Sequence, residues 1–339
     1  MPNLRKLAVG HFYNGPFREI CAKHLHRIKE TFFAWPGVLS CRPAPEFDEA
    51  TVRRLHDDLH WARENGIELD TLFNANCYGD DAISVKLADF VRSKMDEMGA
   101  AGLAPDTVTT TSPFIATVLR RDYPGVKIRM SVNVRVHGTV GLESVEGLFD
   151  SFYVSRERHR DLESLRRTAE WAHSHGKEVG IQANSGCLRQ CPFQQFHDNL
   201  HGHGDGRRPQ DAAAAKEYGF SFFLCKTHYA DPAAREDFLR ATWLRPEDMG
   251  EYEPIVDVVK LAVRRHPSPG AVVEAYAERS YDGDLAALMD PAHAFCAPFS
   301  NAAFSAAEGL WREVRGCPDA NDCRHCGKCA RLLALVSGK

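Results

Sequence analysis

The feature that most constrains the fold is a repeated alternation of short apolar runs with amphipathic stretches. Eight runs have the length and composition of β-strands: 6–10, 30–35, 69–74, 107–111, 127–133, 151–155, 178–183 and 256–263. Strands that alternate with helices form a parallel sheet, which in a chain of 339 residues most commonly closes into a barrel. We therefore predict an α/β fold of the TIM-type (β/α)8 barrel class. An open doubly wound sheet is the alternative, although residues 11–15 lack the GxGxxG pattern of its first turn.

The helical patterns between these strands have recognisable ends. Residues 47–65 carry apolar side chains near a 3.6-residue period, with Asp48 as a candidate N-cap. Residues 80–98 repeat the pattern, and 162–175 ends at Gly176, which is typical of a C-cap. The polar, Gly/His-rich stretch 197–210 is predicted to be a loop or lid. We expect two parts, a barrel over 1–265 and a helical, Cys-rich C-terminal extension over 266–339.

Charge, apolar content and cysteine count limit the classes of function that this chain can have. Lys and Arg total 42 against 46 Asp and Glu, and this net charge of -4 argues against a nucleic-acid partner. No run of 18 apolar residues is present, so no membrane span is expected. The first residues lack a signal-peptide core, and we expect a cytoplasmic protein. The eleven cysteines, an odd number, argue against a disulfide framework and for metal binding or redox chemistry.

The first cysteine group is the pair Cys187-x3-Cys191, just past the seventh predicted strand. Such a pair presents two thiolates to one metal, and Cys41 and Cys225 would have to join it from other loops to complete a [4Fe–4S] ligand set. The third cysteine of the radical-SAM pattern is absent, because position 194 is Gln. The alternative is that the pair consists of buried thiols that act as small apolar side chains.

The second group places Cys317, Cys323, Cys326 and Cys329 close together. The tight turn of C-x2-C-x2-C directs backbone N–H groups at sulfur, which stabilises thiolates. It resembles the first part of a bacterial ferredoxin motif, with Cys317 in place of the usual downstream cysteine. We predict a second [4Fe–4S] cluster here, with a structural zinc site as the alternative and Cys296 as a further candidate ligand.

Polar residues follow the predicted strands at the end of the barrel where such enzymes hold their sites. Arg156 and Glu157 are predicted to bind a carboxylate and to act in acid–base chemistry, and Lys260 and Arg264 to bind an anionic group. An ordinary ion pair at the mouth is the alternative for Arg156 and Glu157. The predicted substrate-binding side chains are Asn76, Asn133 and Asn184, whose alternative role is to cap loops.

Several of these segments resemble the peptidase U32 family. Phe152-Tyr-Val-Ser-Arg156-Glu157 is similar to the family's LSRE segment, and Asn184-Ser-Gly-Cys187-Leu-Arg-Gln-Cys191 to its Cys-bearing loop. Asp257-Val-Val-Lys260-Leu-Ala-Val-Arg264 is similar to its D-x-x-K-I-x-G-R strand, with Val263 at the usual glycine. The resemblance covers roughly residues 5–265 and is strongest to the ubiquinone-biosynthesis subgroup UbiU/UbiV, in which a cysteine also follows the second strand, as Cys41 does.

The resemblance implies a TIM-like barrel with an oxygen-sensitive [4Fe–4S] cluster on four cysteines, here Cys41, Cys187, Cys191 and Cys225. Members of the family support oxygen-independent hydroxylation of a ubiquinone precursor as a pair of paralogues, hydroxylate RNA bases, or are named collagenase-like proteases. The His-Gly-Ala-x-Cys lead-in of the RNA-type and protease-named members is replaced here by Gln182-Ala-Asn-Ser-Gly-Cys187. This difference argues against their substrates.

These observations predict an iron–sulfur oxidoreductase or hydroxylase that modifies a small anionic molecule or a peptide and receives electrons from a donor such as ferredoxin. Three alternative functions remain: an RNA-modifying enzyme, a peptidase, and a non-catalytic iron–sulfur subunit that acts with a paralogous barrel. No HExxH or GxSxG motif supports a peptidase.

Overall fold

Eight parallel strands close into a barrel in which each strand pairs with its neighbours in chain order. In this computed structural model, which describes residues 4–13, 15–41, 47–202, 209–221, 223–293, 298–317 and 323–337, β1 pairs with both β2 and β8. The predicted barrel is thereby confirmed and the open sheet excluded. The strands are β1 (Leu7–Gly10), β2 (Ile28–Phe33), β3 (Glu68–Phe73), β4 (Thr107–Thr110), β5 (Lys127–Met130), β6 (Ser151–Tyr153), β7 (Glu178–Gln182) and β8 (Val258–Leu261).

The described helices surround the barrel and continue beyond its last strand. They are α1 (Phe17–Lys23), α2 (Glu49–Glu64), α3 (Val85–Ala100), α4 (Pro113–Asp122), α5 (Thr139–Glu143), α6 (Leu162–Ser174), α7 (Gln194–Gly202), α8 (Pro209–Glu217), α9 (Leu224–Tyr229), α10 (Arg235–Arg240), α11 (Met249–Tyr252), α12 (Pro269–Glu278), α13 (Asn301–Ala306), α14 (Glu308–Arg315), α15 (Cys323–Cys326) and α16 (Lys328–Val336). None of the helices in the described ranges is long and apolar enough to span a bilayer.

The predicted helix ends are mostly confirmed by their capping groups. The Asp48 side chain accepts a hydrogen bond from Thr51 N at 2.7 Å, which satisfies a free N–H at the start of α2. Gly176 follows α6 with a φ of 67°, a left-handed conformation that glycine adopts without strain. The third helix begins later than predicted, because residues 79–81 form a separate 3-10 turn and Ser84 caps α3.

The prediction of a loop over 197–210 is wrong at both ends. Residues up to Gly202 belong to α7, α8 begins at Pro209, and 203–208 lie outside the described residues. The glycine and histidine content of the stretch suggested a loop. However, Phe196 and Leu200 are four residues apart, so they share one face of a helix, and both line the same cavity.

Alternation along the strands separates two layers of side chains. One set of buried apolar residues packs outward against the helices, while Ala8, Phe32, Leu72, Tyr153 and Val258 form a separate inner cluster with Val132. The inside of the barrel is not wholly apolar. It also holds charged side chains from several strands, which form the floor of the site described below.

The chain after β8 is tied to the connection between β7 and β8. Trp311 of α14 stacks on Trp243 with ring centroids 4.8 Å apart, and the buried Arg315 pairs with Asp248 at 2.7 Å. Helix α16 packs against α10 and α14. Aromatic stacking and a buried ion pair therefore fix the Cys-rich segment next to the barrel rather than leaving it extended.

Candidate active site at the barrel mouth

A cavity of about 380 Å³ opens at the carboxyl ends of the strands. It is lined by side chains that follow different strands, among them Asn74 after β3, Arg156 after β6, Gln182 of β7 and Lys260 of β8. Because the same end of a parallel barrel carries the sites of barrel enzymes, this cavity is the candidate active site.

The cavity is strongly cationic. Five Lys or Arg side chains line it against two carboxylates, and the complete charged set is Arg156, Lys226, Lys260, Arg264, Arg265, Asp198 and Asp290. Sequence reasoning identified Arg156, Lys260 and Arg264 but missed the others. Lys226 comes from the long connection between β7 and β8, where spacing gave no signal. Arg265 directly follows Arg264 and could have been found by extending the predicted strand by two residues.

Lys260 lies at the bottom of this cavity and is buried. Its Nζ lies 4.2 Å from the centroid of the Phe32 ring and 5.1 Å from that of Tyr153. Burial lowers the pKa of Lys260 to about 8, against the opposing attraction of Cys41 and Asp70. A lysine with this pKa exchanges a proton near neutral pH far more readily than one in water.

Beneath Lys260 the barrel holds a buried ion network. Arg129 of β5 donates to Glu30 of β2, with Nη2 2.9 Å from Oε2, and lies 3.3 Å from Asp70 Oδ2 of β3. Thr109 also donates to Asp70, at 2.7 Å. Burial raises the pKa of Asp70 to about 7, and the nearby Arg129 opposes this shift. The ion network links three strands of the barrel and was not predicted, because its charged residues lie far apart in the sequence.

Arg264 is held at the rim by a close backbone approach. A Cβ at Gly10 would lie 2.7 Å from Arg264 Cγ and 2.7 Å from Phe32 Cζ, so only glycine leaves room for both side chains. Arg264 Nη1 lies 3.5 Å from Ser40 Oγ. Gly10 thus allows the arginine to lie across the end of β1 and to face the cavity.

Cys41 lies on the wall of the same cavity and is oriented by Asn74. Asn74 Oδ1 accepts from Cys41 N at 3.2 Å, and Asn74 Nδ2 donates to Cys41 Sγ at 3.2 Å. This two-point contact fixes the thiol at the end of β2. Asn74 was not among the predicted site residues, although it ends the predicted third strand.

The other three predicted barrel cysteines lie together at a second, narrow cavity of about 30 Å³. Cys187, Cys191 and Cys225 line it with apolar side chains that include Leu188 and Phe196. Burial raises the pKa of the Cys191 thiol, and the neighbouring Cys187 raises it further. Arg156 connects the two cavities, since it lines the first and its Nη1 lies 3.8 Å from Cys187 Sγ.

The loop that carries Cys187 and Cys191 is fastened on two sides. Glu157 Oε1 accepts from Gln190 N at 3.0 Å, and Arg189 Nη2 donates to the carbonyl of Cys317 at 3.1 Å. Glu157 therefore holds this loop and is not among the residues that line the larger cavity. The Arg189 contact joins the first cysteine group to the segment that carries the second.

The C-terminal cysteines lie beside basic side chains, with Cys317 just after α14, Cys323 and Cys326 on α15 and Cys329 on α16. Arg240 interacts with Cys323 and Cys329, and Lys328 with Cys317 and Cys326. Cys296 lies outside the described residues. Among the described residues, no group of three or more His, Cys, Asp or Glu side chains is arranged as a metal site.

Of the three asparagines that were predicted to bind substrate, only Asn133 lines the larger cavity. Asn184 does not line it, because its Nδ2 donates to the carbonyls of Ala262 and Leu288, both at 3.1 Å, and its Oδ1 accepts from Ala262 N. Asn184 thus ties β7 to the chain after β8. Asn76 also lies outside the residues that line this cavity, with its buried Oδ1 unpaired within the described structure.

Comparison with known proteins gives two informative similarities. No protein-family profile matches the chain. In sequence, it is 22% identical over 276 residues to Uncharacterized protease MJ1657 of Methanocaldococcus jannaschii, covering 77% of this chain and 76% of the relative. In structure, it is similar to the U32 peptidase Mk0906, with a TM-score of 0.52 and 16% identity, over 77% of this chain and 93% of the other. The similarity to the U32 peptidase structure thus supports the barrel fold, and the relative in sequence is itself named a protease.

Proposed function

We propose that this chain is an iron–sulfur-dependent enzyme that hydroxylates a small anionic molecule without molecular oxygen, or modifies it by related redox chemistry. The observation that carries the proposal is the contact between a cationic cavity and a thiol-lined one. Arg156 lines the first and lies 3.8 Å from Cys187 Sγ in the second. A molecule bound at Arg156 is therefore adjacent to the cysteines.

The cationic cavity determines the charge of the substrate. A volume of about 380 Å³ suits a small molecule, and the surplus of cations over carboxylates favours an anion. Arg156 and Arg264 offer planar guanidinium groups, which bind carboxylate or phosphate through two parallel hydrogen bonds. The buried setting strengthens these contacts, because the effective dielectric constant is lower there than in water.

The thiols fit an iron–sulfur cluster in their chemistry. Cys187, Cys191 and Cys225 face one apolar cavity, and thiolates in such a cavity are the ligands that [4Fe–4S] clusters take. Cys41 is the proposed fourth ligand, since it lies on the adjoining cavity. A cluster bound there would supply electrons or a Lewis-acidic iron to the neighbouring substrate. Arg156 would stabilise the negative charge of the Cys187 thiolate.

The second cysteine group is proposed to hold a further [4Fe–4S] cluster or a zinc ion. Arg240 and Lys328 lie beside these cysteines, and the charge of Arg240 partly offsets the burial that raises the pKa of the Cys329 thiol. A cluster held there would supply a redox centre for a ferredoxin-type donor, whereas a zinc ion would only keep the extension folded. A paralogous barrel as partner, as in the UbiU/UbiV subgroup, is part of the same proposal.

Iron and sulfide analysis of the full chain, purified without oxygen, tests this proposal. Two clusters give about eight iron atoms per chain, and a barrel cluster with zinc at the C-terminal group gives about four. The double variant Cys187→Ser/Cys191→Ser should lose about four iron atoms in either case. Cys77→Ser is the matched control, because Cys77 is also only partly buried but belongs to neither group. Less than about one iron per chain, or equal iron in both variants, would refute the proposal.

A peptidase is the second candidate, because the relative in sequence is named a protease and the similar structure is that of a peptidase. Against it, Cys41 Sγ is hydrogen-bonded by Asn74, and no described imidazole hydrogen-bonds to it. A cysteine peptidase needs a base that takes the thiol proton. Cleavage of denatured casein by the iron-free chain, abolished by Cys41→Ser, would favour this candidate over the redox enzyme.

A further inference from the structure

The two lysines of the larger cavity lie in contrasting environments. Lys226 is exposed, and its Nζ lies 5.2 Å from the centroid of the Phe223 ring. Lys260 is only 6% exposed and projects from β8 into the bottom of the cavity. The chain therefore offers one solvated amine and one enclosed amine to the same bound molecule.

The enclosed amine lacks the partners that a buried ammonium usually has. Lys260 Nζ donates no hydrogen bond and forms no ion pair within the described structure. It lies over the faces of Phe32 and Tyr153, and Cys41 and Asp70 attract it only without a direct contact. Three N–H donors without acceptors make burial of the charged form costly. Two carboxylates, Glu30 and Asp70, could neutralise the charge of the Lys260 ammonium, but both form their ion pairs with Arg129. This arrangement raises the share of the neutral amine, which is the nucleophilic form, above that of a solvated lysine.

We propose that Lys260 forms an imine with a carbonyl group of the substrate, and that the substrate class is an oxo acid, an anion with an aldehyde or ketone carbon. The assignment rests on the anion-binding cavity of the proposed function and adds the reacting group. Arg156 and Arg264 would hold the carboxylate, while the carbonyl carbon faces Nζ at the bottom of the cavity.

The reaction needs no oxidant or reductant. The Nζ electron pair attacks the carbonyl carbon, a C–N bond forms, and the carbonyl π electrons move to oxygen. Two protons from nitrogen reach that oxygen, which leaves as water while the C=N bond forms. When the imine nitrogen takes up a proton from solvent, the resulting iminium group withdraws electrons from the adjacent carbon more strongly than the original carbonyl group did.

Borohydride trapping tests the proposal with the full chain and three probes of increasing size: glyoxylate, pyruvate and 2-oxoglutarate. Reduction of an imine adds the mass of the oxo acid less one oxygen atom to one peptide. We expect that adduct on Lys260, at a level at least about tenfold above Lys226. Lys260→Met and Lys260→Arg should abolish it, whereas Lys23→Met, at an exposed lysine that does not line the cavity, should leave it unchanged. Urea unfolding of each variant shows whether it is folded.

Two outcomes overturn the proposal. One is an adduct shared evenly among exposed lysines or retained in a folded Lys260→Met chain. The other is no adduct with any of the three probes on a chain that still binds 2-oxoglutarate by calorimetry. Neither outcome bears on the iron–sulfur proposal, which is tested separately by the iron and sulfide content of the same preparation.

Discussion

Replacing Lys260 with methionine should stabilise the folded chain at neutral pH. Methionine has a similar length and fills an apolar space between Phe32 and Tyr153 without a charge. The parent chain holds a lysine there whose pKa burial lowers to about 8. A side chain that the fold tolerates only at a cost in stability is expected where function requires it.

The size of the effect follows from the lowered pKa. The difference between 10.5 in the unfolded chain and about 8 in the folded one corresponds to about 3 kcal/mol. Below pH 8 the lysine is protonated in both states, and the folded state bears the full cost. Between pH 8 and 10.5 the unfolded state binds more protons, so the stability of the parent rises with pH. Above that range the amine is neutral in both states and the cost disappears.

Urea unfolding at several pH values measures this effect. At pH 7 the Lys260→Met chain should gain about 1–3 kcal/mol, since imperfect packing of the new side chain reduces the full value. The gain should shrink through pH 8–10 and vanish near pH 10.5. Lys226→Met, at an exposed lysine, should change stability by less than about 0.5 kcal/mol at every pH. A Lys260→Met chain that is less stable at pH 7, or whose gain is the same at pH 10.5, would contradict this reasoning.

Further substitutions test the inside of the barrel and a helix end. Arg129→Met should cost about 3–5 kcal/mol in urea unfolding, because it leaves Glu30 buried without its cation; a loss below about 1 kcal/mol would show that the network does not hold the strands together. Gly180→Ala should cost about 1–3 kcal/mol, since its Cβ would lie 2.6 Å from the Tyr153 ring, and Tyr153→Leu in the same chain should recover part of the loss. Ser112→Ala should lower the unfolding free energy by about 1 kcal/mol, because it removes the cap of α4; an unchanged midpoint would contradict this role.

Strand and helix positions could be read from the sequence because they depend on local patterns. Apolar runs placed all eight strands, and the Asp48 cap lies where the residue types predicted it. The helix over Gln194–Gly202 was missed, because its glycine and histidine content hid a short apolar face. In such a segment, the tertiary contacts of side chains such as Phe196 and Leu200 determine the secondary structure more than the local composition does.

The site was predictable only where a residue follows a strand. Lys260 and Arg264 lie in or just after β8, so both could be named from spacing alone. Asn184 occupies an equivalent place after β7, yet its amide is used by backbone groups of the neighbouring strand and loop. A position at a strand end thus brings a side chain to the open end of the barrel, but its hydrogen bonds determine whether it faces the cavity. These hydrogen bonds depend on the three-dimensional structure and cannot be predicted from a sequence pattern.

The loop between Cys187 and Cys191 is the point at which the separate parts of the molecule meet. Glu157 fastens it to the end of β6, Arg189 fastens it to Cys317, and Arg156 joins Cys187 to the cationic cavity. A short link between the C-terminal cysteines and the barrel thiols is thus one hydrogen bond at Arg189, which does not pass through the barrel core. The same short loop also borders the cationic cavity through Arg156. Trp311 and Arg315 hold the helix before Cys317 against the barrel, and this packing keeps the Cys317 carbonyl within reach of Arg189.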